Sequence, residues 1–223
     1  MKIPFWETAW KLEKQINPQS AGRFAGIFKK LSAQGSFFFL RRMAGDGLLY
    51  IRSPFFHSNV IRYARRPFRD AEEMNKKLIE NWNSRISAQD EVYILGDVTM
   101  KGPAQAQEIL AQLRGRKYLI RGNHDAFADR KSFPEDLFVW IRDYAEIKRN
   151  GTHFVLFHYP IAEWNGFYRG AIHLHGHQHN TADYNDKNRR QGILCYDVGV
   201  DANGMAPVSL EEIFRFFYPS DNS

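Results

Sequence analysis

Over 223 residues the chain is 43% hydrophobic and carries 18 Phe, 10 Tyr and 5 Trp, which excludes a disordered polymer and suffices for one substantial core. The single cysteine, Cys195, excludes an intrachain disulfide, and no apolar run is long enough to span a bilayer, so a cytoplasmic protein is expected. Of the formal net charge of +6, residues 1–46 supply +5 (eight Lys and Arg against three acids), so the body is near neutral and gives no strong nucleic-acid signal.

Residues 1–46 read as a basic, partly helical extension: Phe24, Ile27, Phe28 and Leu31 recur at i, i+3, i+4 and i+7, and Gly35 can stop the helix. The expectation is that this apolar face packs on the body; contact with a membrane surface would have to run through residues 20–33. Residues 47–219 form the main domain. Leu48 to Ile51 is a short strand, and a helix follows in which Asp70 and Glu73 make a capping box while Met74, Leu78, Ile79 and Trp82 form the buried stripe. Val92 to Leu95 is a second strand ending in Gly96-Asp97, Pro103 to Leu113 a helix, and Lys117 to Ile120 a third strand ending in Arg121-Gly122-Asn123-His124-Asp125. Asn150-Gly151 marks a hairpin between Ile147–Arg149 and His153–Phe157, the second of which runs into His158. Ala171 to Leu174 and Ile193 to Tyr196 are further strands, and Ser209 with Glu212 makes a capping box at the start of a last helix, Leu210 to Phe217. Apolar strands ending in polar residues, alternating with helices, imply an α/β sheet with a site along one edge.

His173, His175, His177 and His179 occupy alternate positions, which in an extended strand share one side. Gly176 interrupts that row and leaves His177 and His179 on a loop at the strand's C-terminal end, where α/β folds keep their chemistry. Imidazole is the commonest metal ligand. Tyr168, Arg169 and Asn165 precede this row and are read either as lining a substrate cleft or as an Arg-Gly turn with a packed aromatic; Asp201 and Asn203 read as turn formers.

Strand-Gly96-Asp97, strand-Gly122-Asn123-His124-Asp125, strand-His158 and strand-Gly176-His177-Gln178-His179, in that order, resemble the calcineurin-like metallophosphoesterases, in a small bacterial and phage branch. The resemblance implies a four-layer α/β/β/α sandwich of two mixed sheets. It implies that Asp97 bridges two metal sites, that Asn123, His158 and His177 complete one of them, and that His179 belongs to the other. His124 resembles the family's cationic histidine, which stabilises the transition state or protonates the leaving oxygen, and Asp125 would orient it. Imidazole and oxygen donors without a thiolate suit Mn, Fe or Zn.

One family motif is missing. The Asp-x-His that opens the family's pattern at the end of the first strand aligns without a gap on Arg52 and Pro54, or with a deletion on Ser53. Arg52 would then either swing away or stand in for an ion as a phosphate clamp. His57 is expected beside the site rather than in it. The expected cofactor is one strongly held divalent ion with a second weak or absent. The expected function is hydrolysis of phosphate mono- or diesters, on a phosphorylated small molecule or nucleotide, weakened by the lost ligands. The alternative is a degenerate phosphoesterase fold that binds a phosphorylated ligand or partner without turnover. A third reading, a nuclease, is disfavoured by the near-neutral body.

Overall fold

A computed structural model describes residues 48–219; the expectations for residues 1–46 lie outside that range. The elements run β1 (Leu48–Ile51), α1 (Ser58–Tyr63), α2 (Ala71–Arg85), β2 (Glu91–Ile94), α3 (Pro103–Gln112), β3 (Arg116–Ile120), β4 (Trp140–Arg142), β5 (Tyr144–Arg149), β6 (Thr152–Phe157), β7 (Ile172–His175), α4 (Ala182–Arg190), β8 (Cys195–Asp197), β9 (Val208–Ser209) and α5 (Leu210–Phe217). They build two mixed sheets, β4-β3-β2-β1-β9 and β5-β6-β7-β8. In the first, β1 to β4 are parallel and β9 antiparallel; in the second, β6 to β8 are parallel and β5 antiparallel. Among the described residues no helix is long and apolar enough to cross a membrane.

Strand alternation sorts the core into layers. Val92, Ile94 and Leu119 pack with Met74, Leu78 and Trp82 of α2 and Ala106, Ile109 and Leu110 of α3. The intervening residues point to the other face, where Tyr50, Tyr93, Tyr118 and Trp140 stand in register across β1 to β4. Their rings follow one another at 5.5, 4.8 and 5.3 Å, and Phe154 of β6 meets Tyr50 at 6.4 Å, so aromatic pairs fill the space between the sheets. On the second sheet, Val155, Ala171 and Cys195 pack with Trp164. Trp82 is 1% exposed and its indole donates to the Arg114 carbonyl at 2.9 Å, fastening α2 to the turn before β3.

The capping box at Ser209 and Glu212 forms in both directions. At α2 only half of it forms: Asp70 accepts from the Glu73 N–H at 2.8 Å, whereas the Glu73 carboxylate reaches the Arg69 N–H and guanidinium instead of Asp70. The nearby cation draws the carboxylate one residue further back. The parallel strands β1, β2, β3, β6, β7 and β8 therefore end on common edges, and their C-terminal residues Arg52, Asp97, Arg121 to Asp125, His158 and Gly176 to His179 supply the site.

Candidate metal centre and the arginine beside it

Asp97 is fully buried and takes a left-handed backbone, φ 55°, directly after Gly96 at φ 84°. A side chain on Gly96 would collide with the His158 ring and the Gly122 backbone, so glycine is what lets β2 close on its neighbours. The turn is held by Asp125, whose carboxylate accepts from the backbone N–H groups of Asp97 at 2.7 Å, Val98 at 2.8 Å and Gly122 at 2.8 Å. Burial pushes the Asp125 pKa up to about 6 against the pull of those donors. Both Asp125 oxygens are thus committed to backbone, and among the described residues no hydrogen bond joins them to the His124 ring. Asp125 positions the Asp97 and Asn123 turns rather than the His124 imidazole. His124 stands exposed, with its backbone N–H donating to Asp97 Oδ1 at 3.1 Å.

Asp97, His158 and His177 bring one ligand atom each within 4.8 Å of one another. His158 Nδ1 donates to the Leu95 carbonyl at 2.8 Å, which leaves Nε2 with its lone pair. That lone pair faces Asn123 Oδ1 at 3.1 Å, His177 Nδ1 at 3.2 Å and Asp97 Oδ2 at 3.4 Å. Burial lowers the pKa of His158 and His177, which favours the neutral imidazole. Two imidazole nitrogens, an amide oxygen and a carboxylate oxygen gathered this closely are a donor set of the kind that holds a divalent cation. The residues fit a metal ion. His177 holds φ 69°, a conformation unfavourable for a non-glycine residue and frequent at functional sites.

The same Asp97 oxygen also meets a cation that belongs to the chain. The Arg52 guanidinium, 3% exposed, donates from Nη2 to Asp97 Oδ2 at 2.6 Å. Its Nη1 lies 2.9 Å from Nδ1 and 2.7 Å from Nε2 of His179. A neutral imidazole has a single in-plane lone pair, and an atom this close to both ring nitrogens lies over the ring, so this is chiefly a charge against the imidazole π system. His179 is held in turn by Asp201, 2.9 Å from Nδ1, and by the Tyr63 hydroxyl, 3.2 Å from Nε2. Asp201 also takes both arms of the Arg66 guanidinium at 2.8 Å each, and these partners hold its carboxyl below the usual range despite burial. Burial alone would raise the Asp97 pKa, but Arg52 and His158 outweigh it and the carboxyl is lowered. Gly176 makes room for the arginine, since a Cβ there would meet Arg52 Cγ at 2.6 Å.

A model of the calcineurin-like phosphoesterase family matches residues 57–191. The chain belongs to the calcineurin-like phosphoesterases. The match begins beyond Arg52, so the altered opening motif lies outside it. An uncharacterized protein of Methanocaldococcus jannaschii is 36% identical over 165 residues, covering 72% of this chain and 85% of that one. The gene 66 protein of Mycobacterium phage L5 is 29% identical over 172 residues, covering 65% of this chain and 81% of that one. A solved structure of a protein of unknown function from Aquifex aeolicus shares the fold at a TM-score of 0.60, with 24% identity, over 77% of this chain and 99% of that one. Calcineurin-like phosphoesterases depend in general on divalent metals, and the Asp97, His158 and His177 cluster is where this chain can hold one.

Of the residues singled out in the sequence, Asp97, Asn123, His158 and His177 converge. His179 sits on the far side of Arg52. His57 caps α1, accepting from the Val60 N–H at 3.2 Å, and bonds the Tyr63 hydroxyl at 2.9 Å. Tyr168 bonds Glu163 and Arg169 bonds Asn165 at the surface. His173 and His175 are buried in β7, each with a ring nitrogen against a backbone carbonyl. Asp201, read from the sequence as a turn former, is the carboxylate that fixes His179, and Tyr63 and Arg66 complete that group. Local sequence carries no signal for it, because Asp201 and Arg66 lie 135 positions apart.

Proposed function

We propose that the protein hydrolyses phosphate esters with one firmly held divalent ion and a fixed arginine in place of a second. The observation that supports this most is the convergence of Asn123, His177 and Asp97 on His158 Nε2, with the buried Arg52 guanidinium bound to the same Asp97 oxygen. Asp97, Asn123, His158 and His177 would hold the ion, for which Mn, Fe or Zn suits the mixed nitrogen and oxygen donors. Such an ion supplies Lewis-acid polarisation of the phosphoryl oxygens and a nucleophile from water near neutral pH. Arg52 contributes a charge that cannot be lost by deprotonation and that favours a phosphate at this edge. His124, exposed beside Asn123, is suited to protonate the leaving oxygen or to stabilise charge on the phosphoryl group. Substrates are phosphorylated small molecules or nucleotides.

The Arg52–Asp97 ion pair also favours a second reading, in which a phosphorylated ligand binds without turnover, because the carboxylate that would bridge two ions is already neutralised. Hydrolysis of bis(4-nitrophenyl) phosphate with Mn²⁺ separates the two. The phosphoesterase reading expects turnover that a chelator abolishes and His158→Ala eliminates. No turnover in the wild type at any Mn²⁺ concentration, with phosphate still bound, supports the binding reading.

A further inference from the structure

Tyr63, Val139, Tyr144, Tyr159 and Tyr168 are the large hydrophobic side chains that stand exposed among the described residues. Tyr144 is tied to Glu146 and Phe157, and Tyr168 to Glu163 and Phe167. Tyr63 and Tyr159 touch the histidines of the site, Tyr159 packing on Phe157 at 5.6 Å as well. The Tyr159 ring lies 4.7 Å from His158 and 4.6 Å from His177, and the residue is 37% exposed. The Tyr63 ring lies 5.4 Å from His179 and 5.6 Å from His57; it is 57% exposed although its hydroxyl is held by both histidines.

The contacts order these groups into a row: Tyr159, then His158 and His177, then Asp97, then Arg52, then His179, then Tyr63. A phosphoryl group held beside these residues therefore has one partly exposed tyrosine ring against the histidines of the metal cluster and another against His179. We propose that Tyr63 and Tyr159 recognise substrate and that the site takes phosphodiesters carrying a planar ring, a nucleobase or an aryl group, on the non-leaving ester. Ring-on-ring contact explains why two tyrosines are pinned at the rim yet left open to solvent: a π face is a binding surface that any flat substituent can use. The proposal rests on the phosphoesterase reading for its reaction, and on the two rings for its selectivity.

The test compares 4-nitrophenyl phenyl phosphate with 4-nitrophenyl methyl phosphate under Mn²⁺. Both release the same phenol, so the bond broken is the same and the substituent that stays behind differs. The wild type is expected to favour the phenyl ester in kcat/KM by about 10-fold, the scale of one aromatic stack. Tyr159→Ala and Tyr63→Ala should each pull that ratio down, while Tyr159→Phe and Tyr63→Phe, which keep the ring and lose the hydroxyl, should preserve it. Intrinsic reactivity cancels in the comparison between variants. A ratio unchanged by both alanine variants overturns the proposal, as does loss of the ratio in the phenylalanine variants. If neither ester is hydrolysed, the phosphoesterase reading fails, and ring recognition is read from titration calorimetry with phenyl phosphate and methyl phosphate. About 10-fold tighter binding of phenyl phosphate, lost in Tyr159→Ala, then upholds the rings' role; equal affinities overturn it.

Discussion

The two neighbours of Asp97 Oδ2, His158 and Arg52, meet its charge by different means. On the His158 side, an amide oxygen, an imidazole nitrogen and the carboxylate oxygen lie within 3.1–3.4 Å of His158 Nε2, a donor set that suits a cation from outside. On the Arg52 side the cation is already built into the chain, hydrogen-bonded to Asp97 and laid against His179. One side can gain and lose its charge with the metal supply; the other carries its cation on the chain itself. The difference shows that losing a metal ligand need not leave a hole. A long basic side chain at the same strand end can fill the position, provided a glycine such as Gly176 clears the space.

Breaking the first side is expected to have the largest effect. Loss of groups that merely support a metal ligand costs roughly 10–100-fold, so His158→Ala, which removes the donor at the centre of the cluster, should lower both Mn²⁺ affinity and phosphodiester turnover by more than ~100-fold. Metal titration and a steady-state assay check it together. His124→Ala should lower kcat by about 100-fold or more while leaving Mn²⁺ affinity intact, which separates chemistry from metal binding on that side. Breaking the second side is expected to show in stability. Arg52→Ala strands the buried Asp97 carboxylate, at a cost of about 3–5 kcal/mol in metal-free protein. Because an ion can then take the vacated position, Mn²⁺ should raise the Tm of Arg52→Ala by more than it raises that of the wild type. Thermal unfolding with and without Mn²⁺ reads both halves of that expectation. The smallest effect lies far from either side: Ser209→Ala should cost about 1 kcal/mol through loss of the α5 cap, with turnover unchanged.

How much of this was readable in the chain follows from where each signal lies. Asp97, Asn123, His158 and His177 are legible because the family resemblance marks them and each lies within three residues of the end of a short apolar strand, ends that parallel strands bring together. The absence of a carboxylate at Arg52 was equally visible, but not the direction its guanidinium takes, which depends on partners 45 and 127 positions away. Asp125, which the resemblance implies orients His124, instead accepts from three backbone donors of the tight turn, contacts that its own sequence position does not reveal. α4 gave no periodic signal because its buried residues are Asn185 and Asn188, whose amides bond the Asp197 and Cys195 carbonyls instead of forming an apolar stripe. β4 and β9, of three and two residues, are too short to show a pattern.

The central claim, one exchangeable ion beside one fixed arginine, is tested most directly by counting metals. Metal-free protein titrated with Mn²⁺ in a calorimeter should show one tight site per chain. The double variant Arg52→Asp with Pro54→His, which restores the family's opening ligands at the end of β1, should show two. Two ions bound with similar affinity by the wild type would contradict the claim, because Arg52 would then have to leave Asp97 and His179 to admit the second.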